Sequence, residues 1–118
     1  MAESDRKKRM TVDHALSQLA GHNQPFMKLF EHGTLEVEIY KPDRVDDQTP
    51  HARDEAYVIA SGSGTFINGA DQHPFEVGEV LFVPAGVEHR FVDYTEDFST
   101  WVFFYGPEGG EAKSGSQI

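Results

Sequence analysis

His51, Glu55 and His89 are the side chains of this sequence whose types and placement suit metal chemistry best. Two imidazoles and one carboxylate fill three positions of an octahedral ion and leave three open for substrate, water or dioxygen. Non-haem iron(II) suits that donor set best, with manganese, nickel, cobalt and zinc as alternatives. Singly, each residue has a plainer reading: His51 as a surface-loop histidine, Glu55 as a solvated charge, His89 as a hydrogen-bonded core residue. Their joint occurrence favours the metal. The chain has no cysteine, which removes disulfides, thiolate metal sites and cysteine nucleophiles together. Any metal must therefore be held by nitrogen and oxygen.

The local sequence has to position these groups. On a straight strand His51 and Glu55 would face one side yet stand ~13 Å apart, at ~3.3 Å per residue. The segment Pro50-His51-Ala52-Arg53-Asp54 must curl, and it is short and polar enough to do so. Glu55 then opens the apolar run Ala56-Tyr57-Val58-Ile59-Ala60, at the start of a strand. His89 also opens a strand, behind the turn Pro84-Ala85-Gly86-Val87. Proline fixes one backbone angle there and glycine permits an unusual one, so the imidazole is delivered with little freedom. If Glu55 points inward, its neighbour Asp54 points the other way.

Around these segments the pattern is of period two. Strands are expected at 26–30, 35–39, 56–60, 65–67, 74–77, 80–83, 89–93 and 100–105, separated by Gly33, Gly62, Gly64, Asn68-Gly69, Gly78 and Gly86. Strands of this number and spacing, with one short helix at 12–20 behind a Thr11 N-cap, predict an all-β antiparallel sandwich or barrel. With 118 residues the chain makes a single domain: an arm with the helix over 1–24, the barrel over 25–106 and a flexible tail over 107–118. The basic run at 6–9 reads as a solvated arm. A net charge of −10 repels phosphate backbones and anionic lipid, so neither nucleic acid nor membrane is an expected partner. No apolar stretch is long enough to span a bilayer, and no signal-peptide core follows the basic run. A cytoplasmic chain is expected.

The segment from Gly78 through Pro84, Gly86 and His89 resembles the second cupin signature, Gly-x5-Pro-x-Gly-x2-His-x3-Asn, with Asp93 in place of its final Asn. The first signature is similar at His51, Glu55 and Gly62, but Thr49 stands where its first histidine would be. The resemblance covers about residues 33–106 and points to a small single-domain cupin of the type-2 conserved-barrel class. It implies a small jelly roll (double-stranded β-helix) with a divalent metal in a central pocket, often in a homodimer. Cupins with all four positions hold the metal through three histidines and one glutamate. Gln48, Thr49, Asp54 and His73 are the candidates to fill the gap that Thr49 leaves, Gln48 and Thr49 first among them.

Tyr57, Phe82, Phe91, Trp101 and Phe103 are the aromatic residues expected to line a substrate pocket. Arg53 and Arg90 are the cations nearest the ligands in sequence and suit a substrate carboxylate. Two functions compete. One is a metal-dependent enzyme, dioxygenase- or isomerase-like, acting on a small organic substrate with Glu55 as ligand and proton acceptor. The other is a non-catalytic barrel that binds a small molecule or sugar. The open triad favours the first, and the histidine missing at position 49 favours the second.

Overall fold

The computed structural model describes residues 9–111; the expectations for 1–8 and 112–118, including most of the basic run, lie outside the described residues. One helix and eight strands follow in order: α1 (Val12–Ala20), β1 (Phe26–His32), β2 (Leu35–Tyr40), β3 (Asp54–Ser61), β4 (Ser63–Asn68), β5 (Asp71–Glu76), β6 (Val80–Val83), β7 (His89–Val92) and β8 (Ser99–Tyr105). Each expected strand is present. A five-stranded sheet in the order β1-β2-β8-β3-β6 packs against a three-stranded sheet in the order β5-β4-β7, with every pairing antiparallel. This is the jelly-roll sandwich of the expectation. No helix among the described residues is long and apolar enough to cross a membrane.

Alternation along each strand decides what fills the interior. Tyr57 and Ile59 of β3, Phe66 of β4, Phe75 of β5, Leu81 and Val83 of β6, Phe91 of β7 and Val102 of β8 meet there, with Phe98 and Tyr40, as one core. Strand β2 reverses the usual order of faces. Its apolar residue Ile39 faces outward, where Ala15 and Leu19 of α1 cover it beside Met27, Leu29 and Trp101. Its other face, carrying Glu38 and Tyr40, turns toward the interior cavity. The helix is held at its start by the Thr11 hydroxyl, which accepts from the His14 amide at 3.1 Å. It therefore seals the outside of the sheet and frees the inner face for polar groups.

The long irregular connection between β2 and β3 is organised by Asp46, a buried carboxylate. Its Oδ1 accepts from the Tyr40 hydroxyl at 2.7 Å and the Gln48 amide at 3.2 Å; its Oδ2 accepts from Gln48 Nε2 and the Phe91 amide, both at 2.7 Å. Hydrogen bonds to a charged group contribute roughly 1.5–3 kcal/mol each, so this one side chain can hold a segment without regular structure.

Two motif glycines have different reasons to be glycine. At Gly62 a Cβ would meet Phe98 Cα at 2.5 Å, because the β3–β4 turn lies directly on the backbone before β8. Gly86 has open space around it but a φ of +83°, which a side chain would strain. Asp93 has a φ of +53°, a conformation that Asn and Asp tolerate better than other residues with a side chain. That explains why Asp can replace the Asn of the motif. Residues 107–111, expected to begin a flexible tail, are instead tied down: the Gly109 amide donates to the Ala52 carbonyl at 2.7 Å and the Glu111 amide to Asp54 Oδ2 at 2.7 Å.

Candidate metal centre

Residues Ala52 and Arg53 form the bend that the spacing required, and β3 begins directly after it. The bend returns His51 onto Glu55, with Nδ1 2.7 Å from Oε1. His89 enters from the opposite sheet, its Nε2 3.1 Å from the same oxygen but off the line of a hydrogen bond. One ligand atom from each of the three residues lies within 4.8 Å of the others. Glu55 and His89 are buried, and the His51 side chain is one-third exposed at the pocket side.

Each ligand is aimed by backbone contacts. His89 Nδ1 sits 2.9 Å from the Val87 carbonyl. A carbonyl only accepts, so Nδ1 carries the hydrogen and the lone pair of the neutral ring is left on Nε2. The Gly86 amide donates to the His51 carbonyl at 2.7 Å, and the Ala85 amide to Asp54 Oδ1 at 2.9 Å. The two motif segments thus lock one another. Asp54 does point away from the pocket, as alternation predicts, but it is buried as a clamp between the 84–86 turn and residue 111 instead of facing solvent.

Burial alone would raise the Glu55 pKa, but the hydrogen bond from His51 and the close approach of both imidazoles outweigh it and hold the carboxyl below its ordinary range. Burial would lower His89, yet the Glu55 carboxylate and the Val87 carbonyl push it up. Among the described residues three buried side-chain atoms have no hydrogen-bond partner, and two of them, Glu55 Oε2 and His89 Nε2, belong to this cluster; the third is the Tyr94 hydroxyl. Orphaned buried donors and acceptors of this kind are uncommon. The two in the cluster belong to metal-ligating residue types at one point, so the donor set fits a divalent cation.

The cluster opens into a cavity of about 310 Å³ walled by Phe26, Glu38, Tyr40, Gln48, Tyr57, Val102 and Phe104. Of the expected pocket residues, only Tyr57 lines it. Burial pushes its hydroxyl well above the ordinary range, so it stays a neutral donor, 3.2 Å from Gln48 Oε1. Phe91 lies deeper, among Phe66, Phe75 and Phe98. Phe82, Trp101 and Phe103 have the wrong parity, because Leu81, Val83, Val102 and Phe104 take the inner face of their strands. Arg53 is a structural tie, donating to the Gly106 carbonyl at 3.0 Å, to Glu36 Oε2 at 3.1 Å and to the Thr34 carbonyl. Arg90 and Thr49 line a second, polar hollow, together with Glu88, on the other side of Gln48 and His89, which line it too. Gln48 is on the cavity wall with both ends of its amide engaged, whereas Thr49 is exposed. His73, on β5, lies outside the cluster with its Nδ1 2.9 Å from the Pro74 carbonyl. Phe26, Glu38 and Tyr40 were not anticipated, the shared parity of Glu38 with Tyr40 being the available signal; Val102 and Phe104 are the alternative face of the last strand, and it is that face which meets the cavity.

A jelly roll with a His-His-Glu cluster at its centre defines a class, and the comparisons agree. The chain belongs to the cupin domain family, whose model matches residues 36–105. An uncharacterized protein of Streptomyces coelicolor is 31% identical over 103 residues, covering 86% of this chain and 98% of that one. Among solved structures, a cupin-2 domain protein of Shewanella frigidimarina superposes with a TM-score of 0.59 at 16% identity, over 77% of this chain and 91% of its own. The DMSP lyase DddQ of Ruegeria pomeroyi gives the same TM-score at 21% identity over 69% of this chain; the match spans 46% of that lyase. At these identities the structural likenesses speak to fold alone.

The opposed shifts of Glu55 and His89 predict a stability window for metal-free protein. The carboxylate contributes fully above its ordinary value of 4.5 and loses that contribution as pH falls through its lowered folded value. The imidazolium contributes fully below 6.5 and loses it as pH rises through its raised folded value. Urea titrations of chelator-treated protein should therefore show the advantage of wild type over Glu55→Gln largest between 4.5 and 6.5 and shrinking on either side. A difference independent of pH would show that the pair is not ionised.

Proposed function

We propose that this cupin is a metal-dependent enzyme in which His51, Glu55 and His89 hold one divalent ion, iron before manganese, nickel, cobalt or zinc, facing a small organic substrate. The observation that carries the reading is the pair of orphaned buried atoms, Glu55 Oε2 and His89 Nε2, beside the His51 ring. When bound, such an ion supplies Lewis acidity toward a chelating oxygen and open positions for water or dioxygen. The protein's part is positioning. Phe26, Tyr40, Val102 and Phe104 offer a mostly apolar wall that excludes water from one side of the cluster. Glu55, held below its ordinary range, is a weak base and serves as a ligand in preference to a proton acceptor.

Elemental analysis of protein purified without chelators or metal resin tests the reading. Near-stoichiometric metal is expected in wild type, and His89→Ala or Glu55→Ala should weaken it by at least about tenfold while the fold persists. Because Thr49 is exposed and lines the other hollow, Thr49→His should not tighten binding. Absence of metal from all variants after reconstitution would replace the enzyme with the non-catalytic binding barrel.

A homodimer is part of the same proposal. Val80 is 67% and Phe82 36% exposed on edge strand β6, with Val77 exposed beside it, an apolar outer face that a second copy would cover. Sedimentation should give a dimer for wild type and a monomer for the Val80→Glu, Phe82→Glu double variant. A monomeric wild type would refute it.

A further inference from the structure

The cavity that holds the metal cluster also carries a carboxylate outside the three ligands, Glu38. Glu38 lies on β2, two strands away from Glu55 on β3, across β8. Two strand spacings are roughly 10 Å, so the two acidic groups stand at different points of one cavity wall, and Glu38 is not part of the ligand cluster. Among the described residues the Glu38 side chain has no hydrogen bond and no ion pair, although the more distant charges of Glu36, His51, Glu55 and Lys28 act on it. Its register partner Lys28 reaches Glu31 at 3.4 Å, and Arg53, the other cation near this strand, is committed to Glu36, Thr34 and Gly106. Among the described residues no lysine or arginine lines the cavity. Its remaining walls are largely aromatic: Phe26, Tyr40, Tyr57 and Phe104.

We infer that this end of the cavity is a subsite for a small organic cation, such as a quaternary or protonated amine, set against the Glu38 carboxylate and the faces of the surrounding rings. Aromatic faces attract cations, the more so where water is excluded, and a carboxylate adds net charge. A carboxylate left half-buried without a partner is unfavourable in the empty protein. A cationic ligand removes that cost. A substrate carboxylate, by contrast, finds no cation on this wall. The subsite rests on and deepens the proposed enzyme by giving its substrate a cationic end in addition to the end that meets the ion. It does not itself require the ion.

Choline and 3,3-dimethylbutan-1-ol have nearly the same shape and differ in charge, so they separate cation recognition from apolar burial. Binding of each to the full chain would be measured by calorimetry or ligand-observed NMR, in chelator-treated and in metal-loaded protein. Choline should bind at least about tenfold more tightly than its neutral isostere, as expected for a desolvated cation–aromatic site. Glu38→Gln should bring the ratio close to one, and Glu38→Asp, which keeps the charge, should retain part of it. Equal binding of the two probes, no binding of either, or a preference that survives Glu38→Gln would overturn the subsite. Thermal denaturation of both variants confirms that they fold. Since the choline preference should hold with and without metal, its failure is distinguishable from failure of the metal site, which elemental analysis reports.

Discussion

A carboxylate 1% exposed to solvent is the constraint on which the rest of this structure turns. Glu55 is charged in a place where an isolated charge would cost several kcal/mol, and it is kept there by two imidazoles converging on one oxygen. The surrounding polar contacts serve to bring those imidazoles in. The bend at Ala52 and Arg53 returns His51, and the Gly86 amide holds its carbonyl. The Val87 carbonyl orients His89, and Asp54 clamps the turn from behind. The chain around the cluster is thus pre-organised by its own hydrogen bonds, which is what a metal site requires of its support.

The polar interior is possible because the outside of the sheet is sealed separately. Helix α1 covers Ile39, so β2 can direct Glu38 and Tyr40 inward without losing its apolar anchor. Asp46 completes the arrangement by holding Tyr40, Gln48 and the Phe91 backbone together, although it lines nothing itself. The result is one cavity lined by a ligating centre, a carboxylate outside it and several aromatic rings. A negative net charge of 10 on the whole chain is consistent with such an interior.

Much of this was legible in the sequence, and the misses have physical reasons. Eight strands and the helix follow from period and turn chemistry, because each strand has at least one covered face and the short turns at Gly33, Gly62, Asn68-Gly69 and Gly78 carry a glycine. His51, Glu55 and His89 follow from donor type and rigid delivery. Parity could not be assigned where both faces of a strand are apolar: in β8, Trp101 packs under the helix on the outer side and Phe103 shares its parity, while Val102 and Phe104 face the cavity. In β2 alternation marks two faces but not which is interior, so Glu38 escaped notice. Arg53 stands next to the ligands in sequence, yet the bend that delivers His51 sends Arg53 to the end of β8. Asp46 and Asp54 act through backbone amides distant in sequence, which no local pattern encodes.

The central claim, that His51, Glu55 and His89 ligate one ion, is tested most directly by an anomalous difference map from crystals of the protein loaded with a single equivalent of cobalt or manganese. The account predicts one peak at about 2.0–2.3 Å from a nitrogen of each histidine and from a Glu55 oxygen. A peak in the polar hollow beside Thr49 and Arg90, or no peak in crystals whose solution binds the ion, would contradict it.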